Sequence, residues 1–122
     1  MRFIPTRVHG VLDYLVSALL IAAPWLFGFA HGGAETWVPV ILGVAGIVYS
    51  LFTDYEMGLV RRISMPAHLA LDAGNGAILT LSPWLFGFAD LVMWPHAILG
   101  ILELGVVLMS RTAPGDRHVT VG

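Results

Sequence analysis

The feature that most constrains this chain is that it is written twice. Shifted by 59 residues, the sequence matches His9 with His68, Leu12 with Leu71 and Asp13 with Asp72. The same shift then lays seven consecutive residues, Pro24, Trp25, Leu26, Phe27, Gly28, Phe29 and Ala30, on Pro83, Trp84, Leu85, Phe86, Gly87, Phe88 and Ala89. After a two-residue shortening of the next loop, Ile41, Leu42 and Gly43 fall on Ile98, Leu99 and Gly100. A whole supersecondary unit has therefore been duplicated, and each copy is expected to have the same structure.

That unit reads as a helical hairpin. Four apolar stretches, at about 8–29, 37–53, 66–88 and 91–110, suit a hydrocarbon layer of about 30 Å, which needs roughly 20 helical residues. Between them lie His31, Gly32, Gly33, Ala34 and Glu35, then a charged segment over 54–63, then a tight turn around 90–95. The expected fold is all-α: an integral membrane four-helix bundle in a single membrane domain over 1–122. Repeat 1 covers about 8–54, repeat 2 about 66–110, and 111–122 form a tail. A soluble bundle is the alternative, but 57% hydrophobic against 11% charged residues is far from a water-soluble balance. No stretch carries the wide polar face of a water-facing helix. The first span, preceded by Arg2 and Arg7, resembles a secretory signal only until its pattern recurs mid-chain, so it reads as a retained span.

Two spans return the chain to its starting side, so the copies are parallel repeats related by an axis along the membrane normal. All six basic residues fall on one side: Arg2, Arg7, Arg61, Arg62, Arg111 and Arg117. The other side has only Glu35, Asp90 and His31, and the excess of arginine predicts both termini in the cytoplasm, N-in and C-in. A net charge of -2 without any lysine gives no field for nucleic acid. Without cysteine, disulfides, thiolate catalysis and zinc–thiolate or iron–sulfur sites are excluded.

The duplicated block, with Pro24, Trp25, Gly28 and Ser82, Pro83, Trp84, Gly87, sits at the outer end of spans one and three. Its Trp and Phe residues, with Trp37 and Trp94, suit a membrane interface. A proline there is expected to kink or restart its helix, and Ser82 to cap a new short helix with Pro83 at its first position. With both copies and the preceding His-x-x-x-Asp, the chain resembles the SPW repeat family of bacterial membrane proteins. Ser82, Pro83 and Trp84 match the motif in full, while Ala23 departs from it at the first residue. The resemblance implies a two-span repeat in a bacterial inner membrane and no established reaction.

Ionisable groups within a span are costly and are candidates for function. His9 with Asp13, and His68 with Asp72, are four residues apart, hence on one helix face. Ser17 extends that face and Asn75 lies near it in the second copy. The leading reading is a clasp that satisfies polar groups between helices. The alternatives are a metal (Zn, Mn or Fe) on His and carboxylate ligands, a haem on the two histidines, and a proton relay. Glu103, whose counterpart is Gly46, is a second candidate: a neutral, hydrogen-bonded acid, a proton-binding carboxylate, or an ion-pair partner for another subunit. His96 is expected at the interface. Small residues at helical spacing, Gly46 and Ser50, Ala18 and Ala22, and Ala70, Ala73, Gly74 and Ala77, are expected on packing faces. No phosphate-binding loop, nucleophile elbow or metalloprotease helix is present. The chain is therefore expected to be a non-enzymatic structural or accessory subunit with no resident cofactor, surrounded by lipid, as a homo-oligomer or within a larger complex. A metal- or haem-binding protein and a small proton or ion conductor are the alternative roles.

Overall fold

The computed structural model describes residues 2–112. Most of the expected tail, including Arg117, lies outside them. The chain forms four helices, α1 Thr6–Leu26, α2 Ala34–Leu51, α3 Met65–Leu85 and α4 Trp94–Met109. Among the described residues there is no strand, only two isolated parallel bridges. Packing runs α1 on α2, α2 on α3 and α3 on α4. Each helix begins a few residues before or after its apolar stretch. The outer connection of the second repeat, 86–93, is longer than the tight turn expected there.

The duplication extends to individual contacts. Ile4 bridges to Ser110 and, one repeat on, Ile63 bridges to Thr53. A Cβ added at Gly43 would lie 2.6 Å from the Ser17 carbonyl oxygen, and one at Gly100 would lie 2.7 Å from that of Gly76. Within each hairpin the two helix backbones thus meet at one glycine, the close approach that small residues permit without a side chain in the way. The packing glycines are these, with Gly46 and Gly76. Ala18, Ala70 and Gly74 are exposed, contrary to expectation, because the inward stripe of α3 runs through His68, Asp72, Asn75 and Gly76 instead.

The interior holds many polar groups beside an apolar part that includes Leu20, Leu69 and Leu79, and the exterior is apolar. Thr6, His9, Ser17, Thr53, His68, Asp72, Asn75 and His96 are buried, whereas Leu15, Ile41, Ile101, Leu102, Leu108 and all four tryptophans are exposed. Large apolar groups outside and polar groups inside invert the water-soluble pattern. Two helices, α1 and α2, are long and apolar enough to cross a membrane. Helix α4 is apolar but shorter, at 16 residues. Helix α3 has the length, but its buried stripe of His68, Asp72, Asn75 and Ser82 dilutes its hydropathy.

The repeated block is a helix stop. Both helices run through their proline to Leu26 and Leu85, so neither restarts there. Gly28 and Gly87 take φ of 72° and 74° just beyond the helix. The Phe29 amide donates to the Pro24 carbonyl and the Phe88 amide to that of Pro83, each at 2.8 Å. This is a Schellman closure, in which glycine tolerates the left-handed conformation and the next apolar residue folds inward. Phe29 and Phe88 are accordingly buried, while Trp25 and Trp84 point outward.

Ser82 does not cap a new helix. Its hydroxyl donates to the Leu79 carbonyl at 2.7 Å, the acceptor that an ordinary residue at position 83 would have served with its backbone N–H. The serine compensates for the donor that proline lacks, and Ala23 offers no such group. Ser82→Ala is therefore expected to cost about 1 kcal/mol, read as a lowered unfolding temperature in detergent, and Ala23→Ser to raise it.

Candidate functional site

The two repeats meet in a polar centre at the end of the bundle where the described residues begin and end, near Arg2 and Arg111. His9 and Asp13 come from α1, and His68 and Asp72 from α3, each pair one helical turn apart. The His9 Nε2 atom lies 2.8 Å from Asp72 and 3.1 Å from Asp13. The His68 Nε2 atom lies 2.8 Å from Asp13 and 3.1 Å from Asp72. Each histidine therefore approaches its partner repeat's aspartate more closely than its own. One potential ligand atom from each of the four residues falls within 4.8 Å of the others. Both histidines are fully buried, and their rings meet edge to face at 5.3 Å.

The outer nitrogens of the two rings are held alike. His9 Nδ1 lies 2.6 Å from the Ser110 hydroxyl, and His68 Nδ1 lies 2.7 Å from that of Thr53. Each hydroxyl also donates backward to a helix carbonyl, Ser110 to Val106 and Thr53 to Tyr49, both at 2.6 Å. A hydroxyl has one proton. Both contacts are satisfied only if the imidazole Nδ1–H donates to the hydroxyl oxygen, which turns both Nε2 atoms toward the carboxylates. His68 Nε2, despite its short distances, lies off any hydrogen-bond direction and has no hydrogen-bond partner.

Two phenols complete the centre. Tyr49 of α2 donates to Asp72, and Tyr55, in the α2–α3 linker, donates to Asp13 at 2.8 Å. Both tyrosine rings also contact the His68 ring. Tyr55 is fully buried. Burial, reinforced by the Asp13 charge, raises its hydroxyl well above the usual phenol range, so it remains a donor. The linker forms a plug over this end of the bundle: Tyr14 donates to the Met57 carbonyl at 2.9 Å, and Thr6 to Glu56 at 2.6 Å. Arg2 closes the last turn of α4 by donating to the carbonyls of Val107 and Ser110, where a cation complements the helix end.

Glu103 lies near this centre and is not one of the four. Its Oε1 atom is 3.4 Å from the Asn75 amide, and its buried Oε2 atom has no hydrogen-bond partner. Its place is made by glycine: a Cβ at Gly76 would come within 3.2 Å of the Glu103 Cβ. In the first repeat the exchange is reversed, with Ser17 filling space left by Gly46.

His96 is buried rather than interfacial. It lies between Phe29 and Phe88, with ring centroids at 4.9 and 4.8 Å. Its Nε2–H donates to the Glu35 carbonyl at 2.9 Å. The last aromatic of each duplicated block thus packs on one histidine, which ties the two outer ends together. Sequence reasoning found the four central residues and Glu103, and missed Tyr49, Tyr55, Thr53 and Ser110. The hydroxyls at 53 and 110 occupy equivalent positions of the two repeats, a signal that was present. Nothing in the sequence pairs a tyrosine with a particular aspartate.

No curated protein and no solved structure matches the chain. The family model of the SPW repeat domain matches residues 7–110, which takes in all four helices from Arg7 to Ser110, both duplicated blocks and the central histidines and aspartates. The chain belongs to the SPW repeat family, and its apolar helices agree with a small membrane protein.

Proposed function

We propose that this protein binds one divalent transition-metal ion at His9, Asp13, His68 and Asp72. The observation that carries this reading is the orientation of the two imidazoles. Metal-bound histidines characteristically donate their other ring N–H to a fixed acceptor, and here both Nδ1–H groups have one. An N₂O₂ donor set suits zinc, manganese or iron. Bonds of about 2.0–2.2 Å set donor separations of roughly 3.3–3.6 Å in a tetrahedron, so the His–Asp separations of 2.8 and 3.1 Å need to widen by about half an ångström. Charge is also matched. Two imidazolium groups with two carboxylates are neutral, and so are two neutral imidazoles with two carboxylates and one divalent ion. The adjoining cavity, about 50 Å³, has no room for a macrocycle, so the reading is an ion and not a haem. A conductor would need a polar path past Leu20 and Leu79, both buried and apolar.

In this reading the four helices all cross a bacterial inner membrane, with the termini and the α2–α3 linker on the cytoplasmic side. Arginine placement supports that orientation. The second reading, a clasp within a structural or accessory subunit, is favoured by the two tyrosine donors, which help satisfy the carboxylates without an ion. Elemental analysis of protein purified gently from native membranes separates the two. One equivalent of metal is expected in wild type, with nearly all of it lost in His9→Ala/His68→Ala. Loading the metal-free protein is expected to release about two protons per ion, by calorimetry in buffers of different ionisation enthalpy. A metal-free protein that takes up no Zn²⁺ or Mn²⁺ would leave the clasp.

A further inference from the structure

The chemistry of a metal centre depends on whether its coordination is closed or has a free position, and here the surroundings are informative. A cavity of about 50 Å³ lies against the centre, and Asp13, Asp72, Tyr49, Ser17 and Glu103 all line it. Water needs roughly 10–15 Å³ of such space and two or more polar partners, so the cavity takes a few molecules. The Glu103 Oε2 atom is buried in the protein without a hydrogen-bond partner. A buried carboxyl oxygen without a protein partner is a costly arrangement that a bound water relieves.

The cavity also has a preferred side. α2 and α3 pack on one another, but the equivalent seam between α1 and α4 is looser still. Asp13 and Ser17 line the cavity from α1, and Leu102, Glu103 and Val106 from α4. At about 1.5 Å per residue, Glu103 lies roughly one helical turn further from the chain termini than Asp13, if Ser110 and His9 mark one level. The repeat symmetry is broken at this point, since the position equivalent to Glu103 is Gly46. Only one of the two equivalent flanks of the centre therefore has an acid beside it.

We infer that the ion centre is open: a bound ion carries a water molecule in this cavity, and Glu103 orients that water by accepting a hydrogen bond from it. The inference rests on the ion-binding reading above and assigns the centre a fifth, exchangeable position. Structural metal sites are closed by protein ligands, whereas reactive or ligand-binding ones keep such a position. The position is accessible to small neutral or anionic ligands that fit a few-water cavity. Glu103 is a positioning residue, because it acts through the water and does not bind the ion.

Co²⁺ provides the test, since its visible bands are stronger in four-coordinate than in five-coordinate sites. In wild type, Co²⁺ is expected to give the weaker five-coordinate spectrum, and azide to change it saturably by replacing the water. Glu103→Leu removes the acceptor and fills the cavity. It is expected to keep one Co²⁺ per chain, to raise the band intensity at least about twofold through the loss of the fifth ligand, and to abolish the azide response. Glu103→Gln retains an acceptor oxygen and is expected to behave as wild type. A four-coordinate wild-type spectrum that ignores azide overturns the open position while leaving the ion centre intact. Identical spectra in wild type and Glu103→Leu, both responsive to azide, remove Glu103 from the role. A wild-type protein that takes up no Co²⁺ overturns the ion centre and this inference together. Azide on wild type alone decides the open position if Glu103→Leu fails to fold.

Discussion

Asp72→Ala is expected to destabilise the fold more than any other single loss at the centre, by about 3–5 kcal/mol. Asp72 lies 2.8 Å from His9 Nε2 and 3.1 Å from His68 Nε2, and it accepts from Tyr49 as well. Removing it takes the hydrogen-bond acceptor from His9 and Tyr49 and leaves the two buried imidazoles with Asp13 alone, a loss that the small adjoining cavity makes good only in part. A domain whose total stability is about 5–15 kcal/mol then loses a large part of it. Thermal unfolding in detergent, with helicity and tryptophan fluorescence as probes, checks the size. Tyr49→Phe, which removes one donor to a charged group, is expected to cost about 1.5–3 kcal/mol. If Asp72→Ala cost no more than Tyr49→Phe, the carboxylate would not be the hub described here.

Gly100→Val should be comparably damaging, for a steric reason alone. A Cβ at this position would lie 2.1 Å from Thr80 Oγ1, 2.6 Å from the Thr80 nitrogen and 2.7 Å from the Gly76 carbonyl oxygen. Two of these are backbone atoms, so relief requires α3 and α4 to separate. Overpacking typically costs about 1–3 kcal/mol where side chains can move, and a backbone clash belongs at or above the top of that range. Gly10→Ala provides the contrast. Its Cβ would meet the Met57 side chain, 2.4 Å from Cγ, which a rotamer change moves, and 2.8 Å from Cβ, which only a small shift of the α2–α3 linker relieves, so an intermediate cost is expected. Gly74 has nothing within 4 Å, and Gly74→Ala is expected to be neutral or mildly stabilising through helix propensity, by up to about 1 kcal/mol. Unfolding temperatures of the three variants, measured side by side, should follow this order. Equal losses at Gly100 and Gly74 would mean that the hairpin does not close on its glycines.

How far the structure was legible depended on the range of the interaction concerned. The four helices were legible because apolar runs of membrane-spanning length need no partner to identify them. The pairing of His9 with Asp13 and of His68 with Asp72 followed from a spacing of four on one helix. That the two pairs face each other depended on packing between the repeats. Pattern reasoning failed at Pro83, where a helix start was expected. Whether Ser82 caps a following turn or bonds the preceding one depends on the backbone direction. Gly87, with φ of 74°, ends the helix immediately afterwards. It failed also at His96, whose position at the start of α4 suggested an interface. Two phenylalanines from distant blocks bury it, and their inward turn is a consequence of the helix stops at Gly28 and Gly87.

The sequence by itself determined the duplication, the helical class and the residues capable of ligation, because each rests on composition, length or spacing along a single chain segment. Tertiary structure decided which atoms meet. It turned both imidazoles by their hydroxyl partners, matched Tyr49 to Asp72 and Tyr55 to Asp13, and placed Glu103 beside the centre through Gly76. Those contacts join residues many positions apart, and their geometry follows from how closely the helices approach at Gly43 and Gly100. That distance is set by side-chain volumes on both helices together, which no single segment of the sequence contains.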